Sequence, residues 1–141
     1  MEVRTFANYV NIAMKRRPCY AINDQILKEA IHSSPSGGTA LWDAVIDTVH
    51  AIQRETAQGK LRRNMRKVVI TFTDGMDNAS SNGSFHRVCE LLAHPGVPNV
   101  NFYFLAVGSA DVATMHVLAR GKKHVHVIDE CGGAEVSAEC D

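Results

Sequence analysis

Lys67-Val68-Val69-Ile70-Thr71-Phe72-Thr73-Asp74-Gly75-Met76-Asp77-Asn78 decides how this chain folds. Lys67 to Phe72 is a short β-branched run, the composition of a strand buried on both faces. The acidic turn that follows at once puts carboxylates and a hydroxyl at the strand's carboxyl end. Open parallel α/β sheets hold their ligands there. A second polar turn upstream, Ser34-Pro35-Ser36-Gly37-Gly38-Thr39, opens a strong helical pattern. Together the two turns suggest an oxygen-ligand site for a hard cation.

The segments around that stretch alternate in type. Glu2 to Ala7 and Val10 to Met14 each alternate with period two around Asn8-Tyr9, which predicts a hairpin. Asn23 or Asp24 caps a helix carrying Ile26, Leu27, Ala30 and Ile31 at helical spacing. Thr39 to Gln58 is the clearest helix. Leu41, Ala44, Val45, Thr48, Val49 and Ile52 form its apolar stripe, with Asp43, Asp47, Gln53 and Arg54 facing away. Gly59 ends it. Beyond the acidic turn, Phe85 to His94 reads as a helix and Val100 to Val107 as a strand. Asp111 opens another helix that Gly121 ends, and His124 to Ile128 reads as the last strand. Strand, helix, strand, helix, strand means a parallel sheet with right-handed crossovers.

Composition narrows the function. The 141 residues are 45% hydrophobic and 21% charged, with a formal net charge of zero. That balance gives no electrostatic case for nucleic acid or an anionic membrane. The basic cluster Lys60 to Lys67 reads as a solvated connector. No apolar run nears the ~20 residues that span a bilayer, and Met1 to Phe6 lacks the pattern of a signal peptide. The expected location is cytoplasmic. Cys19, Cys89, Cys131 and Cys140 form no Cys-x-x-Cys pair and read as reduced thiols.

For chemistry, Asp74 supplies a carboxylate at a strand end and Thr39 a hydroxyl at a helix start. Thr39 and Ser36 are equally ordinary helix caps, and Asp74-Gly75 an ordinary turn. Magnesium or manganese wants about six oxygen ligands, so two donors leave the shell short. His124 and His126, two apart on a strand, share a face where they either pair on a transition metal or simply pack. Trp42 reads as core. Catalysis finds no footing: there is no Gly-x-Ser-x-Gly turn. Gly37-Gly38-Thr39 lacks a Walker or dinucleotide pattern.

Ser36-Gly37-Gly38-Thr39-Ala40-Leu41-Trp42-Asp43-Ala44, followed by Val68 to Asn78 and then Phe102-Tyr103-Phe104-Leu105-Ala106-Val107-Gly108, strongly resembles the von Willebrand factor type A domain. The resemblance runs from about Val3 to Ile128. It implies a Rossmann-like α/β fold, a mostly parallel sheet flanked by helices, with a metal-ion-dependent adhesion site where a divalent cation bridges to a partner's carboxylate. By motif, Thr39 matches the family's threonine ligand and Asp74 its downstream aspartate, with Asp77 and Asn78 in supporting roles. The family's Asp-x-Ser-x-Ser signature is absent from this sequence. The expectation is therefore an amino-terminally truncated domain over 1–130, lacking the family's first, central strand, with a short flexible tail over 131–141.

The function expected from this resemblance is a non-enzymatic protein–protein interaction module whose incomplete site (metal: Thr39, Asp74) binds Mg2+ or Mn2+ weakly or not at all. Its partner is a protein, with an acidic side chain completing the cation shell; nucleic acid and membrane are not expected. Self-association through exposed sheet edges is a further expectation. The alternatives are a Rossmann-like phosphate- or nucleotide-binding enzyme, and a gene fragment without independent function.

Overall fold

The computed structural model describes residues 1–32, 37–73, 76–108 and 111–129. Among them, an antiparallel hairpin comes first, β1 (Val3–Phe6) and β2 (Val10–Met14). After a 3-10 turn at Cys19–Ala21 come α1 (Asp24–His32) and α2 (Leu41–Ala57). Then β3 (Lys67–Thr73), α3 (Ser84–Ala93), β4 (Val100–Ala106), α4 (Val112–Ala119) and β5 (Val125–Asp129) alternate. The last three strands make one parallel sheet in the order β3-β4-β5, with Lys67 opposite Val100 and Phe102 opposite Val125. The alternation therefore gives an α/β fold with a parallel sheet, as its period predicts.

Local signals account for several of the helix ends. Asn23 Oδ1 accepts from Ile26 N–H at 2.9 Å, capping α1. Asp111 Oδ1 accepts from Thr114 N–H at 3.2 Å and caps α4 in the same way. Gly59 and Gly121, at φ +76 and +74, supply the left-handed residues beyond α2 and α4.

One core holds the molecule together. Leu41, Trp42, Val45 and Val49 of α2 meet Val88, Leu91 and Leu92 of α3, and Met115 and Leu118 of α4 join them. They pack on the face of the sheet formed by Val100, Phe102, Phe104, Ala106, Val125 and Val127. Trp42 lies in this core, edge-on to Phe85 at 5.1 Å between ring centroids. Phe6 of the hairpin and Val69 of β3 rest against the same cluster.

Several details depart from the sequence reading. β3 is buried on one face only: Val68, Ile70 and Phe72 are 51%, 63% and 65% exposed. The reason is that, among the described residues, the buried side chains of its sheet all face one layer of helices. α2 begins at Leu41 rather than Thr39, because Thr39 uses its backbone N–H and carbonyl on the loop after β3. Asp43 and Gln53 do not simply face solvent. Gln53 Nε2 donates to the Pro95 carbonyl at 2.8 Å, and Asp43 is described below. Finally, His124 and His126 do not share a face. His124 precedes β5 and meets the Leu92 carbonyl at 2.6 Å, whereas His126 stacks on Tyr103.

Candidate functional site

Three loops meet where α2 begins. Ala40 is the N-cap residue, and its side chain has no oxygen to offer the free N–H groups of the first turn. Acceptors come instead from the loop after β3. Trp42 N–H donates to Asp77 Oδ1 at 3.3 Å, and Asp43 N–H donates to Ser80 Oγ at 3.1 Å. The Ser80 hydroxyl in turn donates to Asp77 Oδ1 at 2.5 Å. The helix is thus capped by residues more than thirty positions away.

Asp43 completes the latch from the helix side. Its Oδ2 accepts from Ser81 N–H at 3.0 Å and from the Ser81 hydroxyl at 3.3 Å. Its Oδ1 accepts from the Ser84 hydroxyl at 2.5 Å. A carboxylate accepting several hydrogen bonds stays put, and here it ties the first turn of α2 to the start of α3.

The segment 38–40 is held from both sides. Gly38 N–H donates to Asn8 Oδ1 at 2.8 Å, and Thr39 N–H donates to Asn78 Oδ1 at 2.7 Å. Ala40 N–H donates to the Ala7 carbonyl at 2.6 Å. The Thr39 carbonyl accepts from Asn78 and Ala79 N–H at 3.0 and 3.1 Å. A Cβ at Gly38 would lie 2.7 Å from both Asn8 Oδ1 and Asn78 Oδ1, so a larger residue would displace the two side chains that hold the segment.

Of the two expected cation ligands, Thr39 sits half-buried at the middle of this junction. Asp74 lies outside the described residues, as do Ser36 and the tail that holds Cys131 and Cys140. Among the described residues, no group of three or more His, Cys, Asp or Glu side chains is placed to hold a metal ion. The nearby carboxylates Asp43 and Asp77 already accept hydrogen bonds from the loop and helix. The described donors therefore do not fit a complete divalent-cation shell.

Sequence reasoning missed Asn8, Ser80, Ser81 and Ser84, and gave Asp43 no partner. Two spacings carried a signal. Asp77-x-x-Ser80 sets a carboxylate three residues before a hydroxyl that donates to it, and Ser81-x-x-Ser84 leads directly into α3.

A von Willebrand factor type A domain model matches residues 1–136. Among solved structures, the chain is similar to von Willebrand factor type A from Catenulispora acidiphila, with a TM-score of 0.65 and 14% identity. That likeness covers 97% of this chain and 31% of the other, so the chain spans under a third of that protein's length. At such low identity it speaks for the fold alone. No match was found among curated proteins. Among the described residues, no helix is long and apolar enough to cross a membrane.

Proposed function

Because the chain belongs to the von Willebrand factor type A domain family, we propose that it works as a non-enzymatic protein-interaction module. Its contact face is the loop junction at the start of α2. The cation site there is incomplete, with Thr39 and Asp74 as its remaining ligands and weak or absent binding of magnesium or manganese. A partner carboxylate is the group such a site would take.

One observation carries this reading. Asn8, Gly38, Thr39 and Asn78 converge from three loops into one hydrogen-bonded surface, while Asp43 and Asp77 serve that surface as structural acceptors. A loop face already joined by hydrogen bonds suits recognition, because each bond made in advance leaves less ordering to be done on binding. The same commitment of carboxylates leaves a hard cation short of ligands.

Isothermal titration of magnesium and manganese into the purified chain, beside Asp74→Ala, tests the site. The expected result is weak heat that does not saturate below millimolar metal and disappears in the variant. Saturable binding tighter than about 0.1 mM would show a functioning cation site instead. Saturable nucleotide binding that survives Asp74→Ala would overturn the module reading in favour of an enzyme-like pocket.

A further inference from the structure

The far end of α2 and the start of β3 gather charge of one sign. Lys15, Arg16 and Arg17 end the hairpin, and Lys60, Arg62, Arg63 and Arg66 fill the loop before β3. Glu55 brings the two runs together. Its carboxylate pairs with Arg16, and its carbonyl accepts from the N–H groups of Lys60 and Leu61 at 2.9 and 3.2 Å. Glu2 reaches in as well, and Arg4 and Arg16 hold both carboxylates. Lys15, Arg17, Lys60, Arg62, Arg63 and Arg66 are exposed and make no ion pair among the described residues.

The arginines stand on a built turn. Met65 N–H donates to the Arg62 carbonyl at 3.1 Å, and Asn99 Nδ2 donates to the Asn64 carbonyl at 2.9 Å. Lys67 is buried, and its ammonium donates to the carbonyls of Arg63, Met65 and Pro98 at 2.9, 3.0 and 3.2 Å. An ammonium has three donors, so all of them go to holding this turn against the loop before β4. A merely solvated connector would leave such a lysine in water. Here its burial fixes the backbone from which Arg62, Arg63 and Arg66 project.

Guanidinium groups match carboxylates and phosphates alike. Two features favour an acidic peptide over a nucleic acid. Leu61, half-buried, and Met65, 42% exposed, sit among the cations, and a peptide can set apolar side chains between its acids where a phosphate backbone cannot. The loop from Lys60 to Lys67 also holds no aromatic ring on which a base could stack. With a net charge of zero, the attraction is local to this patch and reaches about one Debye length, ~8 Å, which suits a short acidic segment. The chain's own carboxylates from Asp129 onward leave from the opposite end of the sheet, since Asp129 lies beside Ala106 and Ala106 beside Thr73.

We propose that this end of the domain binds an acidic peptide segment of a partner protein, with apolar residues set between its carboxylates. Arg62, Arg63 and Arg66 pair with the carboxylates, and Met65 takes an apolar side chain. Lys15, Arg17 and Lys60 extend the attraction past Glu55. The whole length of α2, about 25 Å of helix, separates this surface from the loop junction. Either surface can fail without the other.

The probe is a dye-labelled synthetic peptide, Glu-Glu-Leu-Glu-Glu-Leu-Glu-Glu, titrated with the full chain and read by fluorescence anisotropy. Saturable binding is expected at about 50 mM salt, weakened at least fivefold at about 300 mM. Arg62→Glu with Arg63→Glu should weaken it at least tenfold. Lys28→Glu with Arg120→Glu, the same change of charge on exposed residues elsewhere, should leave it within twofold. If the first pair fails to fold by circular dichroism, Arg62→Gln with Arg66→Gln makes the comparison. A peptide with serine in place of both leucines should bind at least threefold more weakly. Equal losses from the two pairs of variants, equal binding by the serine peptide, or no saturation below about 0.5 mM chain would overturn the proposal. So would tighter binding by a twelve-residue oligothymidine, which would make the ligand a nucleic acid. At least tenfold tighter peptide binding by Glu135→Gln with Glu139→Gln would overturn it too, by making the chain's own carboxylates the occupant.

Discussion

Asp43 and Asp77 are the residues on which the loop junction turns. Each accepts hydrogen bonds from groups that would otherwise lie unpaired at the starts of α2 and α3. Asp77→Ala should cost about 1 kcal/mol, the usual worth of a helix cap, read from urea denaturation. Asp43→Ala removes the acceptor for three hydrogen bonds at once and should cost more, about 1–3 kcal/mol. Glu55 sets a pH dependence at the far end of α2. Its hydrogen bond with Arg16 holds the carboxyl below its ordinary value of 4.5. A carboxylate lowered on folding adds stability above that ordinary value and loses it as pH falls through the lowered one. Melting curves of the native chain and Glu55→Gln should therefore differ at pH 6, with the difference shrinking as the pH falls below 4.5. A difference that persisted in acid would mean that Glu55 contributes through packing instead.

The elements divide sharply by which side of the sheet they serve. Phe104 of β4 is fully buried among the helices, so Phe104→Ala should cost about 3–5 kcal/mol. Ile70→Thr on the open face of β3 should stay within about 0.5 kcal/mol of the native chain by thermal or urea unfolding. The sequence alone predicted the existence and type of these elements because their periods are clean, two in the hairpin and near 3.6 in α2 and α3. It misjudged β3, since Val68 to Phe72 reads as apolar whether one face or both are covered. Coverage is decided by where other helices go, and no window of residues records that. The start of α2 was misplaced for a related reason. Thr39 looks like a local cap, yet its backbone is bound to Asn78 and the true acceptors arrive from Asp77 and Ser80. Long-range capping leaves only faint local spacing to read.

At the scale of the molecule, the hairpin and the three-stranded sheet are separate sheets resting on one core. Phe6 and Val69 both lean on the cluster that α2 organises, so neither sheet has a core of its own. Unfolding should be a single transition, with near- and far-ultraviolet circular dichroism giving coincident curves. An early loss of strand signal would mean that the hairpin melts independently. The long-range capping of α2 has one more consequence. Trp42, the chain's single tryptophan, donates its backbone N–H to Asp77 on the loop that faces solvent. Whatever tightens that loop must also tighten the first turn of the helix, and by linkage the reverse holds. On the proposed reading, a partner seated on the loops should change the fluorescence of the one indole ring, which packs against Phe85.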